Sequence, residues 1–392
     1  MKCLSTKATS IKPSGIRKFF DLASTMEGVI SLGVGEPDFA TPWHICENAI
    51  HYMSTGHTHY TANRGLLELR EEICKFHKEH YNQVYDPENE VIVTIGGSEA
   101  IDLCMRALLN PGDEVIVLDP NYVAYAPSVI LSDGVVVPLK LKEENDFKIL
   151  PEDLKKVITP KTKAMIINYP SNPTGGVMTK EDYAKIIDII KESGIYVISD
   201  EIYAELSFDQ PFASLAQFDE IKSQIIVVNG FSKAYAMTGW RLGYCMANKE
   251  LSSVMNKIHQ YVIMSAPVMS QYAGIEAIKN GYDDVLMMKE DYLKRRNFLV
   301  NRLNRMGLKT NMPHGTFYVF CNIQSTGLDS ETFCERLLQE QKVACVPGNA
   351  FGDSGEGYVR ISYAYSIDHI KEAVVRLEQF LKGAVTDKEV SA

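Results

Sequence analysis

The sequence of 392 residues lacks the long apolar segments that membranes and secretion require. No run approaches the ~18 apolar residues of a membrane-spanning helix, and residues 1–20 contain no apolar core of a signal peptide. The eight cysteines form no CxxC pair, and several lie in apolar patterns, which is typical of reduced, buried thiols. We therefore predict a cytoplasmic protein that has no membrane partner.

The sequence also lacks the commonest short motifs of catalysis. It contains no GxSxG elbow, Walker loop or GxGxxG fingerprint, which excludes the usual hydrolase, NTPase and Rossmann interpretations. None of its nine histidines belongs to an HExxH motif, and the pairs at 57/59 and 77/80 have no third ligand at a fitting spacing. We predict no metal site.

The sequence has fewer basic residues than acidic ones, 40 against 50, so its formal net charge is −10. A nucleic-acid partner would favour a clustered basic surface, so we expect no such partner. Hydrophobic residues make up 45% and charged residues 23%, as in ordinary globular proteins. The chain is too long for one ordinary core, which favours a large and a smaller domain.

Short strand-like runs alternate with helical patterns between residues 90 and 247. Near-continuous apolar runs such as "DEVIVLDP" and "KAMIINYP" are typical of a sheet that helices cover on both faces. After Gly281 a long charged helix, three strand-like runs and a helix near 367–383 indicate a smaller α+β unit. We predict an α/β fold with a large domain at 45–285 and a small domain made of 1–44 and 286–392.

One lysine stands in an unusual setting. Lys233 in "NGFSKAYAMTGWRLGY" follows an apolar run and precedes Arg241 by eight positions. It can simply bury its stem and keep its ammonium in water. Alternatively, a desolvated lysine loses its proton more easily and becomes a nucleophile for a carbonyl.

Two segments predict polar groups at the carboxyl edge of the sheet. "TIGGSEA" indicates a helix that begins near Ser98, whose free N–H groups suit a phosphate, although such turns are often only tight connections. "YVISDEIY" ends an apolar strand with Asp200, which is either a solvated acid or a partner for a heteroaromatic nitrogen. Because side chains alternate along a strand, Asp200 and Tyr203 can share a site only if the strand turns between them.

Two further residues have equally open interpretations. Asn172 in "NYPSNPTGG" lies in a polar loop after an apolar strand, where open α/β sheets bind ligands. Arg360 alternates with apolar residues in "GEGYVRISYA" and therefore needs a partner, either structural or a ligand carboxylate.

Together these segments resemble the aminotransferase class I and II family, the pyridoxal-phosphate-dependent enzymes of fold type I. "GFSKAYAMTGWRLG" is similar to the family's lysine signature, and "GEPDFATP", "YTANRGLLELR", "YPSNPTG", "SDEIY" and "VRISYA" follow in the family's order and spacing. The resemblance covers nearly the whole chain. It implies a large domain with a mostly parallel seven-stranded sheet, and a homodimer with composite active sites.

The resemblance also implies a role for each matching position. Lys233 would bind the cofactor as a Schiff base and shuttle a proton, Asp200 would pair with the pyridinium nitrogen, and Tyr203 would bond the phenolic oxygen. The other expected cofactor contacts are Gly97, Ser98, Glu99, Tyr122, Asn172, Ser232, Arg241 and, from the neighbouring subunit, Tyr60. Arg360, Gly35 and Asn172 would bind the substrate.

Two departures from the family pattern bear on phosphate binding and specificity. Gly230 replaces a serine that some relatives have three residues before the lysine, and Ser98 replaces a lysine of aspartate-specific relatives. Strings such as "KIHQYVIMSA" look like the aromatic and N-acetyl-diaminopimelate aminotransferases. We expect a bulky donor of one of these kinds, with 2-oxoglutarate as acceptor and Arg17 or Asn63 near its distal carboxylate.

Three alternatives remain open at this point. Aspartate could be the donor. A carbon–sulfur β-lyase of the same fold would share every cofactor contact, although "NPTGGV" lacks the arginine and tryptophan usual in those relatives. A ligand-sensing regulator would need a DNA-binding domain, for which the residues before "GEPDF" leave no room.

Overall fold

A computed structural model describes residues 3–11 and 26–390, with side chains described to residue 383. In this part of the chain the alternating sequence pattern forms twelve strands and thirteen α-helices. The strands are β1 (Ile30–Ser31), β2 (Val91–Thr94), β3 (Glu114–Asp119), β4 (Val135–Lys140), β5 (Thr162–Asn168), β6 (Tyr196–Asp200), β7 (Ile225–Gly230), β8 (Gly243–Met246), β9 (Tyr318–Asn322), β10 (Val343–Ala344), β11 (Val346–Pro347) and β12 (Tyr358–Ser362).

The helices lie between these strands and on both sides of them. They are α1 (Thr6–Ser10), α2 (Trp43–Ser54), α3 (Leu67–Tyr81), α4 (Gly96–Leu108), α5 (Tyr125–Leu131), α6 (Pro151–Val157), α7 (Lys180–Ala184), α8 (Ile187–Ser193), α9 (Lys249–Val262), α10 (Val268–Asn280), α11 (Tyr282–Arg305), α12 (Ser330–Gln341) and α13 (Ile367–Val390). The last helix continues beyond the stretch near 367–383 that its sequence pattern predicts.

The central sheet has seven strands in the order β2-β8-β7-β6-β5-β3-β4. Strand β8 is antiparallel to both neighbours, whereas β7, β6, β5, β3 and β4 pair in parallel. Successive buried residues of one strand pack into different cores: Val91 and Val93 belong to one cluster, and Ile92 to another. The prediction of an α/β fold with a mostly parallel sheet covered on both faces is therefore confirmed.

The C-terminal strands form a smaller antiparallel sheet in the order β11-β12-β9. Its core also takes in Ile30 and Leu32 from the N-terminal part of the chain, together with apolar residues of α11, α12 and α13. Strand β1 pairs in parallel with β10 through Ile30 and Val343. These contacts bring residues from both chain regions into one apolar cluster.

The arrangement of the central sheet concentrates polar residues at one edge. Strands β5 and β6 end at Asn168 and Asp200, which are partners in the parallel ladder. The carboxyl ends of parallel strands are where open α/β sheets bind ligands. Helix α4 begins at Gly96, two residues before the predicted start, because glycine's low helix propensity made Ser98 look like the first helical residue.

Candidate active site

A cavity of about 520 Å³ opens at this edge of the central sheet, between it and the smaller sheet. Its lining includes eleven of the residues that sequence reasoning selected: Gly35, Gly97, Ser98, Tyr122, Asn172, Asp200, Tyr203, Ser232, Lys233, Arg241 and Arg360. Such a cavity has the volume of a small-molecule site. Residues from distant parts of the chain thus meet in one place.

The Lys233 amine faces the cavity from the segment that follows β7. Its Nζ donates a hydrogen bond to the Gly35 carbonyl oxygen at 2.6 Å. Burial, with the positive charge of Arg360 as the next cause, lowers the Lys233 pKa to about 8. A larger share of the amine is therefore neutral near pH 7 than in an ordinary lysine, and a neutral amine is the nucleophilic form.

Asp200 lies at the end of β6 and is buried. Its Oδ2 accepts a hydrogen bond from the Tyr125 hydroxyl at 2.7 Å, and its Oδ1 accepts one from the Ile202 N–H at 3.2 Å. Burial raises the Asp200 pKa to about 6. The strand ends at Asp200, so the chain turns and both Asp200 and Tyr203 line the cavity, as their shared site requires.

Arg360 lies on β12 and is 3% exposed. Its Nη1 donates to Asn172 Oδ1 at 2.9 Å and its Nη2 donates to the Gly33 carbonyl at 2.6 Å, while its buried Nε has no partner. Within residues 3–11 and 26–383, no carboxylate forms an ion pair with this guanidinium. A buried charge with only neutral acceptors is costly, and a ligand carboxylate would compensate it.

The start of α4 lies close to Arg241. Gly97 and Ser98 line the cavity, and the N-cap residue Ile95 has no side-chain acceptor for the first helical N–H groups, so these groups are available to an anion. A Cβ on Gly96 would lie 2.7 Å from Arg241 Nη2, and one on Gly243 would lie 2.6 Å from the Gly96 carbonyl carbon. The close approach of these two segments therefore requires glycine.

Gly230 is equally confined. A Cβ at this position would lie 3.0 Å from both Gly243 Cα and the Leu242 carbonyl oxygen. The serine of some relatives therefore cannot be introduced here without a shift of the neighbouring backbone. Ser232, which lines the cavity, is the hydroxyl that this segment offers instead.

Two predicted cofactor residues do not line the cavity. The Glu99 carboxylate contacts His259 Nδ1 at 2.6 Å and accepts from the Ile95 N–H at 2.5 Å, which leaves only its backbone for an anion. Tyr60 is 84% exposed on the surface of the chain, so its predicted role depends on a second subunit.

Of the two residues expected near a distal carboxylate, Asn63 is among the described residues. The Asn63 side chain donates to the Met264 carbonyl at 2.8 Å and does not line the cavity. Arg17 lies outside the described residues. Among the side chains that are described, no group of three or more His, Cys, Asp or Glu residues could hold a metal ion.

Sequence reasoning missed three polar residues of the site. Tyr125 bonds Asp200; Asn168 donates to the Asp200 carbonyl and accepts from the Asn172 N–H, both at 2.9 Å; and Tyr318 contacts Tyr203. Asn168 could have been found as the polar end of the strand "KAMIIN". Tyr125 follows Tyr122 by three positions, and a turn closed by the Tyr125 N–H and the Tyr122 carbonyl at 3.1 Å brings the two rings together at the start of α5.

These groups fit pyridoxal phosphate. The buried Asp200 carboxylate accepts hydrogen bonds from Tyr125 and the Ile202 N–H but forms no ion pair with a cation in the described chain, and a ring N–H⁺ would provide one. The α4 start, whose N-cap side chain accepts no hydrogen bond, fits a phosphate together with Arg241, and the Lys233 amine fits an aldehyde. All of these groups line the same cavity.

Comparison with known proteins agrees with this chemistry. The family model for aminotransferase class I and II matches residues 27–377. Putative aminotransferase YugH of Bacillus subtilis is 50% identical over 96% of this chain and 98% of its own. Aspartate aminotransferase of Pyrococcus abyssi is 44% identical over 97% of this chain and 98% of its own.

A solved structure of an aromatic aminotransferase from Pyrococcus horikoshii is 43% identical, with a TM-score of 0.89 over 94% of this chain and 99% of that one. No helix in the described part of the chain is long and apolar enough to cross a membrane. The resemblance to the family and to fold type I is confirmed. The chain belongs to the aminotransferase class I and II family and is a pyridoxal-phosphate-dependent transaminase.

Proposed function

We propose that this transaminase moves the amino group of a bulky L-amino acid, aromatic or N-acylated dibasic, to 2-oxoglutarate in the cavity at the sheet edge. The observation that carries the proposal is the pairing of a nucleophilic amine with an unneutralised guanidinium, Lys233 and Arg360, in one cavity. An α-amino acid presents an amine and a carboxylate on one carbon. The two side chains are complementary to these two groups.

The proposed cofactor contacts use groups that line the cavity or adjoin it. Asp200 would hold the proton on the ring nitrogen, and Tyr203 and Asn172 would donate to the phenolic oxygen. Because Asn172 Oδ1 accepts from Arg360, its NH₂ group remains as the donor. Tyr122 would stack on the ring, and the remaining phosphate contacts would come from the backbone of Gly97, Ser98 and Glu99, the side chains of Ser232 and Arg241, and Tyr60 of a second copy.

When bound, pyridoxal phosphate supplies an aldehyde that condenses with amines and a ring that accepts the electron pair left on the substrate carbon. The Lys233 amine would hold the cofactor and would move the proton at the substrate Cα. Asp200, as the carboxylate, would keep the ring nitrogen protonated. Arg360, with Gly35 beside it, would hold the α-carboxylate so that the Cα–H bond faces the lysine.

The proposed donor follows from the charges of the cavity. Of the described residues that line it, three are cationic, Lys233, Arg241 and Arg360, and the proposal uses all three. The described lining offers no further cation for a distal carboxylate, so the distal carboxylate of 2-oxoglutarate would depend on Arg17 or Asn63. For the donor side chain, Tyr122, Ile101 and Val123 offer apolar and aromatic surface. The relatives named for a donor include aspartate, aromatic and N-acetyl-LL-diaminopimelate aminotransferases, so aspartate is the second candidate donor.

A panel of amino donors with 2-oxoglutarate tests the proposal. We expect kcat/KM for at least one of phenylalanine, tyrosine and N-acetyl-diaminopimelate to exceed kcat/KM for aspartate. We also expect Lys233→Ala to abolish amino transfer and the holoenzyme's visible absorbance, and to leave the far-UV circular dichroism unchanged. A tenfold preference for aspartate, about 1.4 kcal/mol in transition-state binding, would overturn the donor assignment. Near-wild-type turnover by Lys233→Ala would overturn the role of the lysine.

We also propose a homodimer with composite sites. Its support is the high exposure of three large aromatic side chains: Trp43 is 69%, Tyr60 84% and Tyr261 86% exposed. The Asn63–Met264 hydrogen bond joins the loop of Tyr60 to the end of the segment that carries Tyr261. Large exposed aromatic side chains of this kind are typical of interaction sites.

Three wider assignments remain proposals. The domain division at 45–285, with 1–44 and 286–392 as the small domain, is supported by the shared apolar cluster of Ile30, Leu32 and the C-terminal helices. A cytoplasmic location is supported by the eight free cysteines, six of them buried, which suit a reducing compartment. A biosynthetic role in amino-acid metabolism follows from the proposed donors.

A further inference from the structure

Tyr318 is a buried residue of the cavity to which the proposed function gives no role. It lies on β9, where it pairs with Ser362 of β12, while Phe320 pairs with Arg360. Residues opposite each other in an antiparallel ladder share a face, as do residues two apart on one strand. Tyr318 and Arg360 are therefore diagonal neighbours on the face that lines the cavity.

The two ends of Tyr318 contact two different functional groups. Its ring lies against the Arg360 guanidinium, with 4.3 Å between the guanidinium carbon and the ring centroid. Its hydroxyl lies 3.1 Å from the Tyr203 hydroxyl, within hydrogen-bond distance. One rigid side chain thus joins the arginine proposed for the substrate carboxylate to the tyrosine proposed for the phenolic oxygen.

We infer that Tyr318 is a positioning residue that sets the hydrogen-bond direction of Tyr203 and the plane of the Arg360 guanidinium. This inference rests on the proposed roles of Tyr203 and Arg360. A tyrosine hydroxyl has one proton and can also accept hydrogen bonds. If Tyr203 gives its proton to the phenolic oxygen, the contact at 3.1 Å requires Tyr318 to donate to Tyr203.

This order of donation strengthens the proposed contact to the cofactor. A hydroxyl that accepts a hydrogen bond is a better donor, because consecutive hydrogen bonds polarise one another. Tyr203 would then stabilise negative charge on the phenolic oxygen more than it could alone. The ring meanwhile would hold the guanidinium in place through the contact of 4.3 Å between the guanidinium carbon and the ring centroid.

Gly35 supports the same arrangement. A Cβ at this position would overlap the Tyr318 hydroxyl, so a side chain here would displace it. The glycine therefore leaves room for Tyr318 as well as for a substrate carboxylate.

Two substitutions of Tyr318 separate the functions of its hydroxyl and its ring. Tyr318→Phe removes the donor but keeps the ring. We expect it to raise the pH midpoint of the holoenzyme's visible absorbance by about half to one unit, because a weaker donation from Tyr203 leaves more charge on the phenolic oxygen and holds the neighbouring proton more tightly. Tyr318→Leu also removes the ring, and we expect KM for the amino donor to rise about 3- to 30-fold.

Tyr358→Phe is the matched control. Tyr358 lies on β12, two residues before Arg360, and its hydroxyl donates to Glu143 at 2.9 Å outside the cavity lining. This variant should keep the wild-type pH midpoint of the visible absorbance and the wild-type KM for the amino donor. An unchanged midpoint in Tyr318→Phe would overturn the inference for the hydroxyl, even if Tyr318→Leu failed to fold. Equal KM values for folded Tyr318→Leu and Tyr318→Phe would overturn it for the ring.

The wild-type enzyme distinguishes this inference from the proposed function. Absence of both the visible band and amino transfer in the wild type would contradict the proposed roles of the cavity residues. A normal wild type with a Tyr318→Phe variant that behaves like Tyr358→Phe would contradict only the positioning role.

Discussion

At the scale of single residues, the site depends on acids that are buried beside each other yet serve different purposes. Asp200 lines the cavity, whereas its neighbour Glu201 is 1% exposed and accepts hydrogen bonds from Ser199 and Ser214. Burial raises the Glu201 pKa to about 7. Glu201 therefore anchors the end of β6 from the side away from the cofactor site.

This burial predicts a pH dependence of stability. Because the folded-state pKa is above the unfolded value, the contribution of Glu201 is complete below the unfolded pKa and is lost as pH rises through about 7. Between pH 5 and 9 the free energy of unfolding of the apoenzyme should fall more steeply in the wild type than in Glu201→Gln, by on the order of 3 kcal/mol. Urea denaturation at several pH values measures this difference.

The control for this experiment is Glu220→Gln at an exposed position, which should retain the wild-type slope. Asp200 and Glu205 also have raised pKa values, but they are present in all three proteins and cancel in the comparison. Parallel curves for the wild type and Glu201→Gln would show that Glu201 does not titrate in this range.

At the scale of elements, the start of α4 packs against the segment that carries Arg241. Gly96 has a φ of +71° and approaches the Arg241 guanidinium, whereas Gly112 has a φ of +89° and no atom within 4 Å of an added Cβ. Alanine should strain the backbone at both positions by about 1–2 kcal/mol. At Gly96, but not at Gly112, the alanine side chain would also displace Arg241, the proposed phosphate ligand.

We therefore expect Gly96→Ala and Gly112→Ala to lose similar stability but to differ in cofactor affinity. Gly96→Ala should raise the dissociation constant of pyridoxal phosphate by about tenfold or more, because the displaced Arg241 must shift. Titration of the apoenzymes, followed by visible absorbance, measures this constant. An equal affinity in the two variants would argue against a phosphate site at this helix start.

The same elements show how far sequence reasoning reaches. Apolar runs located all seven strands of the central sheet, and the parity of Asp200 and Tyr203 correctly required a turn between them. Contacts between distant segments have no local signal, so the Tyr125–Asp200 and Tyr318–Tyr203 hydrogen bonds could not be predicted. The helix start was misplaced because Gly96 and Gly97 have poor helix propensity.

At the scale of the whole molecule, Tyr60 is exposed on its own chain, so its proposed contact with the phosphate predicts that each site needs two chains. Tyr60→Phe removes one hydrogen bond to a charged phosphate, worth about 1.5–3 kcal/mol, so its holoenzyme should lose cofactor faster. A heterodimer of Tyr60→Phe and Lys233→Ala contains one site in which both residues are wild type. Mixing the two variants under exchange conditions should restore slow cofactor loss to that site.

The control is each variant exchanged with itself, which creates no wild-type site. Cofactor retention after gel filtration gives the readout. A mixture that loses cofactor as fast as Tyr60→Phe alone would rule out the shared site.

The hydrogen bond from Arg360 to the Gly33 carbonyl joins residues 327 positions apart. At a synthesis rate of about 5–20 residues per second, roughly 15 to 65 s separate the appearance of these two groups on the ribosome. The Lys233 amine is made within that interval, before the arginine that would present an amino acid to it. On the proposed roles, a nascent chain therefore carries its reactive amine before its carboxylate site exists, and substrate selection by Arg360 would begin only when synthesis has passed β12.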